Sequence, residues 1–249
     1  MDFITPDWIN VPDNVGAIST TRTGGFSLAP YDDGTGGGGL NLGTHVGDDP
    51  DAVAKNRVLL RTLLPTEPAW LSQVHGTVVL DAADAADAPN ADASIATRAG
   101  IVCVIQTADC LPVLFCDVQG RVVGAAHAGW RGLASGVLEN TVSRMRDAGA
   151  GDILAWMGPA IGPRSFEVGQ DVFDAFVERD ASMASAFRAL PDQRKYLADI
   201  YSLARTRLAS AGVGQVYGGG LCTVTDARRF YSYRRDKVTG RMASLIWLK

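Results

Sequence analysis

Residues 101–127 read IVCVIQTADCLPVLFCDVQGRVVGAAH, and their apolar pattern predicts the centre of the fold. The segment 101–105 is an unbroken apolar run with the length of a buried strand, and 113–116 and 122–126 are two more such runs. A polar segment, 117–121, separates the last two and contains a glycine. The pattern therefore predicts three buried strands, the last two joined by a tight turn.

Apolar residues recur at helical spacing on both sides of this stretch. The predicted helices begin after Asp49-Pro50, run from Leu133 to near Gly149, cover 172–177, and run from Ile200 to just before Gly212. Further strands are predicted within 70–74 and 77–80, over 153–157, near 216–217, over 230–233 and over 243–248. Because strands and helices come in mixed order, we expect an α+β fold or a layered sandwich with mixed sheets. With no linker and no internal repeat, residues 1–249 are predicted to be a single domain.

The composition is that of a globular protein, with 47% apolar residues, 20% charged residues and a net charge of −4. This charge gives no reason to expect nucleic acid as a partner. No apolar run reaches the roughly 18 residues of a membrane-spanning helix, and the N-terminus lacks the pattern of a signal peptide. We therefore expect a cytoplasmic protein without nucleic-acid or membrane partners.

The four cysteines form no Cys-x-x-Cys motif, so neither a structural zinc site nor a disulfide framework is predicted. Cys103 and Cys116 lie inside apolar runs and are expected to be buried thiols. Cys110 differs, because it lies in TADCLP at the edge of a predicted strand.

The chain has three histidines, and two lie in distinctive segments next to turn residues. His75 lies in LSQVHG, and His127 follows the apolar run VVGAA and precedes AGWRG. Together with Cys110 they offer the three protein ligands of a catalytic zinc site, which leaves a fourth position to water or substrate. Such a metal makes hydroxide available near neutral pH. The three residues are far apart in sequence, so only the tertiary fold can bring them together.

The same residues permit two other interpretations. A nearby histidine would lower the pKa of Cys110 and make it a nucleophile, with Asp109 orienting an imidazole. Alternatively, Cys110 is a plain buried thiol and the histidines are core or turn residues.

Arginines beside glycine, aromatic or asparagine residues are candidates for binding phosphate or carboxylate, which a guanidinium binds with two parallel hydrogen bonds. These arginines are Arg22, Arg57, Arg131, Arg234 and Arg235. Arg131 has an additional argument, because the first turn of a predicted helix also favours an anion. For each of them, a surface salt bridge is the alternative. The aromatic segment FYSY (230–233) offers faces for stacking a base, or belongs to the core.

At these residues the chain resembles a known family. The matching segments are TRTGGFS (21–27), NLGTHVGDDP (41–50), QVHGT (73–77), ADCLPVL (108–114), AHAGWRG (126–132), GPAIGP (158–163), FEVG (166–169) and FYSYRRD (230–236). They are similar to those of the YfiH-like proteins, which are also called laccase-domain or multicopper polyphenol oxidases, purine nucleoside phosphorylase-like enzymes and peptidoglycan editing factors. The resemblance covers essentially the whole chain.

The resemblance implies a compact α/β/β/α sandwich of four layers and a zinc ion held by His75, Cys110 and His127. Copper is a possible substitute, since it outcompetes zinc at many nitrogen and sulfur sites. The resemblance also implies phosphorolysis of adenosine, inosine and methylthioadenosine, and deamination of adenosine. Two segments depart from the family pattern: Arg164-Ser165 stands where a cysteine is common, and the glycine-rich segment 32–39 is longer than usual.

We therefore expect a zinc-dependent purine nucleoside enzyme that uses phosphate. The catalytic candidates are Asp109, Cys110, Arg57 and Arg131, and the candidates for substrate binding are Asn41, His45, Arg22 and Arg234. A four-copper oxidase is excluded, because three histidines are too few for that cluster. The alternative enzyme is a hydrolase that edits peptidoglycan precursors with the same zinc or cysteine, and a third class is a metal-dependent binding module without turnover.

Overall fold

The structure, a computed structural model, describes residues 1–191 and 194–249. Its strands are β1 (Phe3–Ile4), β2 (Val15–Thr20), β3 (Thr23–Ser27), β4 (Val79–Asp81), β5 (Ala93–Ala96), β6 (Val102–Thr107), β7 (Leu111–Asp117), β8 (Val123–Ala128), β9 (Ile153–Met157), β10 (Glu167–Gly169), β11 (Phe187–Ala189), β12 (Lys195–Ala198), β13 (Gln215–Gly218) and β14 (Met242–Leu248). Its α-helices are α1 (Pro50–Arg61), α2 (Trp130–Ser135), α3 (Val137–Asp147), α4 (Gln170–Val177), α5 (Ile200–Ser210) and α6 (Tyr233–Asp236).

The three strands predicted from residues 101–127 are present, but they belong to two different sheets. Strands β7 and β8 form an antiparallel hairpin in the middle of a mixed sheet ordered β13-β9-β7-β8-β5-β4. Strand β6 lies at the edge of a second sheet, ordered β1-β2-β14-β6. The hairpin turn is closed by the Asp117 side chain, which accepts hydrogen bonds from the backbone N–H groups of Arg121 and Val122. A small antiparallel sheet, β10-β12-β11, lies apart from both.

Alternate residues of the central strands face different apolar layers, which explains their unbroken apolar sequence. On β7, Val113 and Phe115 pack against the helices α2 to α5, whereas Leu114 and Cys116 pack between the two large sheets. On β6, Cys103 and Ile105 fill that same layer, while Val102 and Val104 face α1. The order of layers is therefore helix, sheet, sheet, helix, which confirms the predicted α/β/β/α sandwich with mixed sheets.

Both thiols predicted to be buried, Cys103 and Cys116, are free and fully inaccessible. No helix among residues 1–191 and 194–249 is long and apolar enough to cross a membrane.

Three local predictions are wrong. No strand lies within 70–74, where Ser72 forms only an isolated bridge with Asn90. The helix expected from Leu133 to Gly149 is two helices, α2 and α3, because Gly136 between them has a φ of 105° that breaks the helical path. The segment 230–233 is not a strand. Phe230 and Tyr231 are fully buried but do not form part of a β-sheet, and α6 begins at Tyr233. Ser232 caps α6 by accepting a hydrogen bond from the backbone N–H of Arg235, so the apolar pair belongs to a capped turn.

Candidate metal centre

His75, Cys110 and His127 meet at one end of the six-stranded sheet. Their ligand atoms all lie within 4.8 Å of one another, and Cys110 Sγ is 3.7 Å from His75 Nε2. The two imidazole rings have centroids 4.7 Å apart and stand edge to face. The convergence expected from the sequence is thus present in the structure.

The β7–β8 hairpin brings Cys110 and His127 together. Its register pairs Leu111 with Ala128 and Pro112 with His127, so Cys110, just before β7, lies beside the last residues of β8. The turn before Cys110 depends on Asp109, which has a φ of 96°. The Asp109 carboxylate accepts hydrogen bonds from Thr223 Oγ1 at 2.5 Å and from the backbone N–H of Arg234 at 2.6 Å. Each carboxylate oxygen of Asp109 accepts one hydrogen bond, and these two hydrogen bonds stabilise the unfavourable backbone conformation of Asp109.

His75 lies in a loop between α1 and β4 and is held by the buried Asp92. Its φ of 60° is unusual for a residue with a side chain. Asp92 Oδ1 accepts the backbone N–H of His75 at 2.9 Å, and Oδ2 accepts those of Gly76 at 2.6 Å and Val74 at 3.2 Å. Asp92 Oδ1 also lies 2.8 Å from His127 Nδ1, so one carboxylate orients both histidines.

The three side chains fit a metal ion of the zinc type. Tetrahedral zinc has bonds of about 2.3 Å to sulfur and about 2.0 Å to nitrogen, which places neighbouring ligand atoms at separations similar to those here. The hydrogen bond between Asp92 and His127 Nδ1 leaves Nε2 of that ring for a metal, the arrangement usual for metal-bound histidine. Gly129 packs against the cluster, where a Cβ would lie 2.6 Å from His75 Cδ2 and 3.2 Å from Cys110 Sγ.

Electrostatics favour the thiolate form of Cys110. Burial acts to raise its pKa, but the charges and hydrogen bonds of His127 and His75 outweigh burial and lower the pKa to about 6. Burial acts to lower the pKa of His127, yet Cys110 and Asp92 raise it to about 9. Both shifts favour a thiolate beside an imidazolium in the absence of a metal. Burial raises the pKa of both Cys103 and Cys116 to about 12, so those thiols stay protonated.

The cluster opens into a cleft of about 600 Å³, within the range of small-molecule sites. Trp70, Tyr233 and Gln106 line it together with the metal-ligating residues, and His45, Arg57 and Arg241 line it as well. It therefore offers apolar and aromatic surface as well as positive charge.

The structure brings some of the predicted site residues to the cleft and places others elsewhere. His45 and Arg57 line it. Asn41 is fully buried behind it, where its amide donates to Asp48 and accepts from the backbone N–H of Arg241. The Asp109 carboxylate supports the turn before Cys110, as described above.

The other predicted arginines have partners away from the cleft. Arg22 is buried in a second hollow, where it donates to the carbonyls of Asp32 and Ala227. Arg131 is exposed at the start of α2, with its Cζ 4.4 Å from the ring centroid of Trp130. Arg234 donates from Nη1 to the carbonyl of Glu167, and Arg235 donates to the carbonyl of Thr223.

Sequence reasoning did not identify Asp92 and Arg241. Asp92 follows an Ala/Asp-rich segment whose composition is typical of solvated surface. It directly precedes the buried strand β5, however, and this position at the start of a strand could have indicated a site residue. Arg241 directly precedes β14, a strand-end position comparable with that of Cys110 before β7.

Comparison with known proteins points to one family. A family model described as multi-copper polyphenol oxidoreductase laccase matches residues 16–249. The chain is 55% identical over 249 residues to the purine nucleoside phosphorylase YfiH of Escherichia coli, and 53% identical over 247 residues to a purine nucleoside phosphorylase of Pseudomonas aeruginosa. Each alignment covers 99% of this chain and 98% of the relative. A crystal structure of a Neisseria meningitidis protein superposes with a TM-score of 0.92 at 50% identity and covers 100% of both chains.

Proposed function

Because the chain belongs to the multi-copper polyphenol oxidoreductase laccase family, in which its relatives are named purine nucleoside phosphorylases, we propose that it is a zinc-dependent purine nucleoside phosphorylase. The proposed substrates are adenosine, inosine and methylthioadenosine, together with inorganic phosphate. The observation that carries the proposal is the cleft, which holds a metal-ligating cluster and half-buried arginines in one space.

In phosphorolysis, a phosphate oxygen forms a bond to C1′ of the ribose while the bond from C1′ to the purine nitrogen breaks. The electron pair of that bond passes to the base, which takes up a proton, and the products are ribose 1-phosphate and free purine. The enzyme therefore has to hold a phosphate and a nucleoside side by side in a defined orientation. Arg57 is our candidate for the phosphate, and the ring of Tyr233 is a candidate for the base.

His75, Cys110 and His127 would hold the metal ion. A bound zinc would supply Lewis acidity and would lower the pKa of a water molecule. Asp92 orients the two histidines, and Asp109 holds the turn that presents Cys110. Copper at the same position is the alternative metal.

We propose deamination of adenosine as a second activity of the same cleft. Water adds to C6 of the base, the bond from C6 to the exocyclic nitrogen breaks, and inosine and ammonia are formed. This reaction needs no phosphate, which separates it experimentally from phosphorolysis.

The oxidase in the family's name is not part of the proposal. A four-copper cluster needs many more histidines than the three in this chain, and His45, the third, does not belong to the metal-ligating group found among the described residues.

The test is turnover by zinc-loaded protein with inosine or adenosine, with and without phosphate, followed by chromatography of bases and sugar phosphates. We expect phosphate-dependent release of free base, lost in Cys110→Ala and retained in Cys222→Ser, whose thiol lies outside the cleft. Formation of inosine from adenosine without phosphate identifies the deaminase. If zinc-loaded protein converts neither nucleoside, the proposal is wrong. Release of an amino acid from a muramyl–amino acid precursor would then identify the peptidoglycan-editing hydrolase.

A further inference from the structure

Three basic side chains from separate segments line the cleft that contains the metal-ligating cluster. His45 lies in the loop before α1, Arg57 on α1, and Arg241 directly before β14. Burial, and then the charges of Arg241 and Arg57, lower the pKa of His45, so the positive charge of this part of the cleft comes from the two guanidinium groups. The fold thus concentrates positive charge in a partly enclosed space.

Each guanidinium is held firmly but keeps donors free. Arg57 donates from Nε and Nη2 to the carbonyl of Leu42 at 3.0 and 2.9 Å, and its Cζ lies 3.8 Å from the ring centroid of Trp70. Arg241 donates from Nη1 to the carbonyls of Thr239 and Gly240, both at 3.1 Å. Within residues 1–191 and 194–249, Nη1 of Arg57 and both Nε and Nη2 of Arg241 have no acceptor. Both guanidinium groups are therefore fixed in orientation before any ligand binds, and each keeps N–H groups that can donate to a ligand.

Neither arginine has an ion-pair partner among the described residues. No carboxylate in the described part of the chain lies within 4.0 Å of either guanidinium. Burial lowers the pKa of both groups, and the carboxylate that acts on Arg57, Glu67, accepts a hydrogen bond from the indole N–H of Trp70 at 2.7 Å. Charged groups at half-buried positions are normally paired, so two unpaired guanidinium groups beside one histidine indicate that an anion belongs between them.

The position of Arg241 connects this charge to the metal-ligating residues. Arg241 lines the same cleft as His75, Cys110 and His127. A small anion between the arginines would therefore lie beside a nucleoside that occupies the rest of the cleft.

We propose that His45, Arg57 and Arg241 form the subsite that binds inorganic phosphate for attack on the nucleoside. Arg241 keeps Nε and Nη2 for two parallel hydrogen bonds to oxygens of a tetrahedral oxyanion, and Arg57 keeps Nη1 for a further hydrogen bond. This inference rests on the proposed phosphorolysis for the identity of the anion, but the subsite itself rests on unpaired charge. Arg131 and Arg234 do not contribute to it.

The test measures phosphate affinity separately from turnover. Binding of inorganic phosphate to zinc-loaded protein is followed by calorimetry, and KM for phosphate and KM for inosine are determined in parallel. Arg241→Ala is compared with Arg241→Lys, which keeps the charge, and with Arg144→Ala, which removes an exposed arginine on α3. Losing hydrogen bonds to a charged ligand is expected to weaken phosphate binding and to raise KM for phosphate by roughly 10–100-fold in Arg241→Ala. We expect a smaller change in Arg241→Lys, none in Arg144→Ala, and nearly unchanged KM for inosine in all three.

The outcomes separate the two proposals. Phosphate affinity that is unchanged in both Arg241→Ala and Arg57→Ala, with native circular dichroism, overturns the subsite even if the enzyme is a phosphorylase. Phosphate binding that depends on these arginines in a protein without phosphorolysis overturns the proposed function and leaves the subsite standing. Binding of adenosine 5′-monophosphate is measured as well. If this nucleotide binds in a way that depends on Arg241 while inorganic phosphate does not bind, the subsite serves a nucleotide and the proposal of free phosphate is wrong.

Discussion

At the scale of single residues, Asp92 has the greatest influence on the geometry of the metal centre. It is fully buried, and its two oxygens serve three backbone N–H groups of the His75 loop together with the ring of His127. Burial acts to raise the pKa of this carboxyl, but the hydrogen bonds from His127 and Gly76 outweigh that effect and keep the pKa below its usual range. Asp92 is therefore charged at neutral pH and supports both histidines at once.

Replacing Asp92 with Asn tests this positioning role. An amide keeps the size of the carboxylate but loses its charge and one acceptor, so the His75 loop and the His127 ring are held less firmly. Zinc affinity, measured by competition with a chromogenic chelator, should fall by roughly 10–100-fold. Asp84→Asn, at an exposed position in the segment before β5, is the matched control and should bind zinc as the wild type does. Equal zinc affinity in Asp92→Asn and the wild type would show that the histidines need no such support.

The thiolate character of Cys110 predicts that this thiol reacts in metal-free protein while the two buried thiols, Cys103 and Cys116, do not. With a pKa of about 6, the thiol gains reactivity as the pH rises through that value, whereas Cys103 and Cys116, at about 12, stay protonated and buried. Iodoacetamide at pH 7 should therefore label Cys110 and spare the other two, as read by peptide mapping. Zinc should protect Cys110, and His127→Ala should move the midpoint of the rate profile to higher pH. A wild-type midpoint near 9 would contradict the thiolate assignment.

At the scale of elements, the β7–β8 hairpin and the break between α2 and α3 shape the region around the metal centre. The hairpin register places Cys110 beside the end of β8, and the chain then turns at Gly129 directly into α2. Gly136, with a φ of 105°, ends α2 and lets α3 start in a new direction over the sheet. The spacing of apolar residues correctly predicted that this region is helical. The break, however, depends on the left-handed backbone conformation of one residue, and the spacing of apolar residues contains no information about that conformation.

Gly136→Ala should destabilise the protein through backbone strain alone. A Cβ at this position would meet only the Glu139 carboxylate, at 3.8 Å, so steric crowding is absent. The left-handed conformation costs an alanine about 1–2 kcal/mol. Urea denaturation should show a loss of that size, and Gly136→Asn should lose less because asparagine tolerates this conformation. An alanine variant as stable as the wild type would mean that α2 and α3 can realign at no cost.

At the scale of the whole molecule, the two large sheets share one apolar layer. Cys103 and Ile105 of β6 and Ile246 of β14 meet Leu114 and Cys116 of β7 in that layer. Separating the sheets would expose this layer to water, and burial of apolar area is the main favourable contribution to folding. We therefore propose that residues 1–249 unfold as one unit, in agreement with the single domain expected from the sequence.

Cys103 and Cys116 report on this proposal, because one lies in each large sheet and both are fully buried. If the sheets unfold together, pulses of a thiol reagent across a urea gradient should label both at the same urea concentration. Labelling of one cysteine at a clearly lower concentration than the other would show that the sheets are separate cooperative units. Circular dichroism on the same samples relates the labelling midpoint to the loss of secondary structure.

The sequence by itself determined the buried strands, most helices, the layered class and the three metal-ligating candidates. These features depend on local periodicity and on rare residue types such as His75 and His127, which can be read along the chain. Which sheet each strand joins became clear only from the tertiary structure. Strand β6 belongs to the four-stranded sheet, although the next strand in sequence, β7, belongs to the six-stranded sheet. The tertiary structure also decided that Arg57 and Arg241 share a cleft while Arg22 and Arg131 lie elsewhere. The reason is that the partner of a charge or of a hydrogen-bond donor comes from distant parts of the chain, and apolar periodicity carries no information about those contacts.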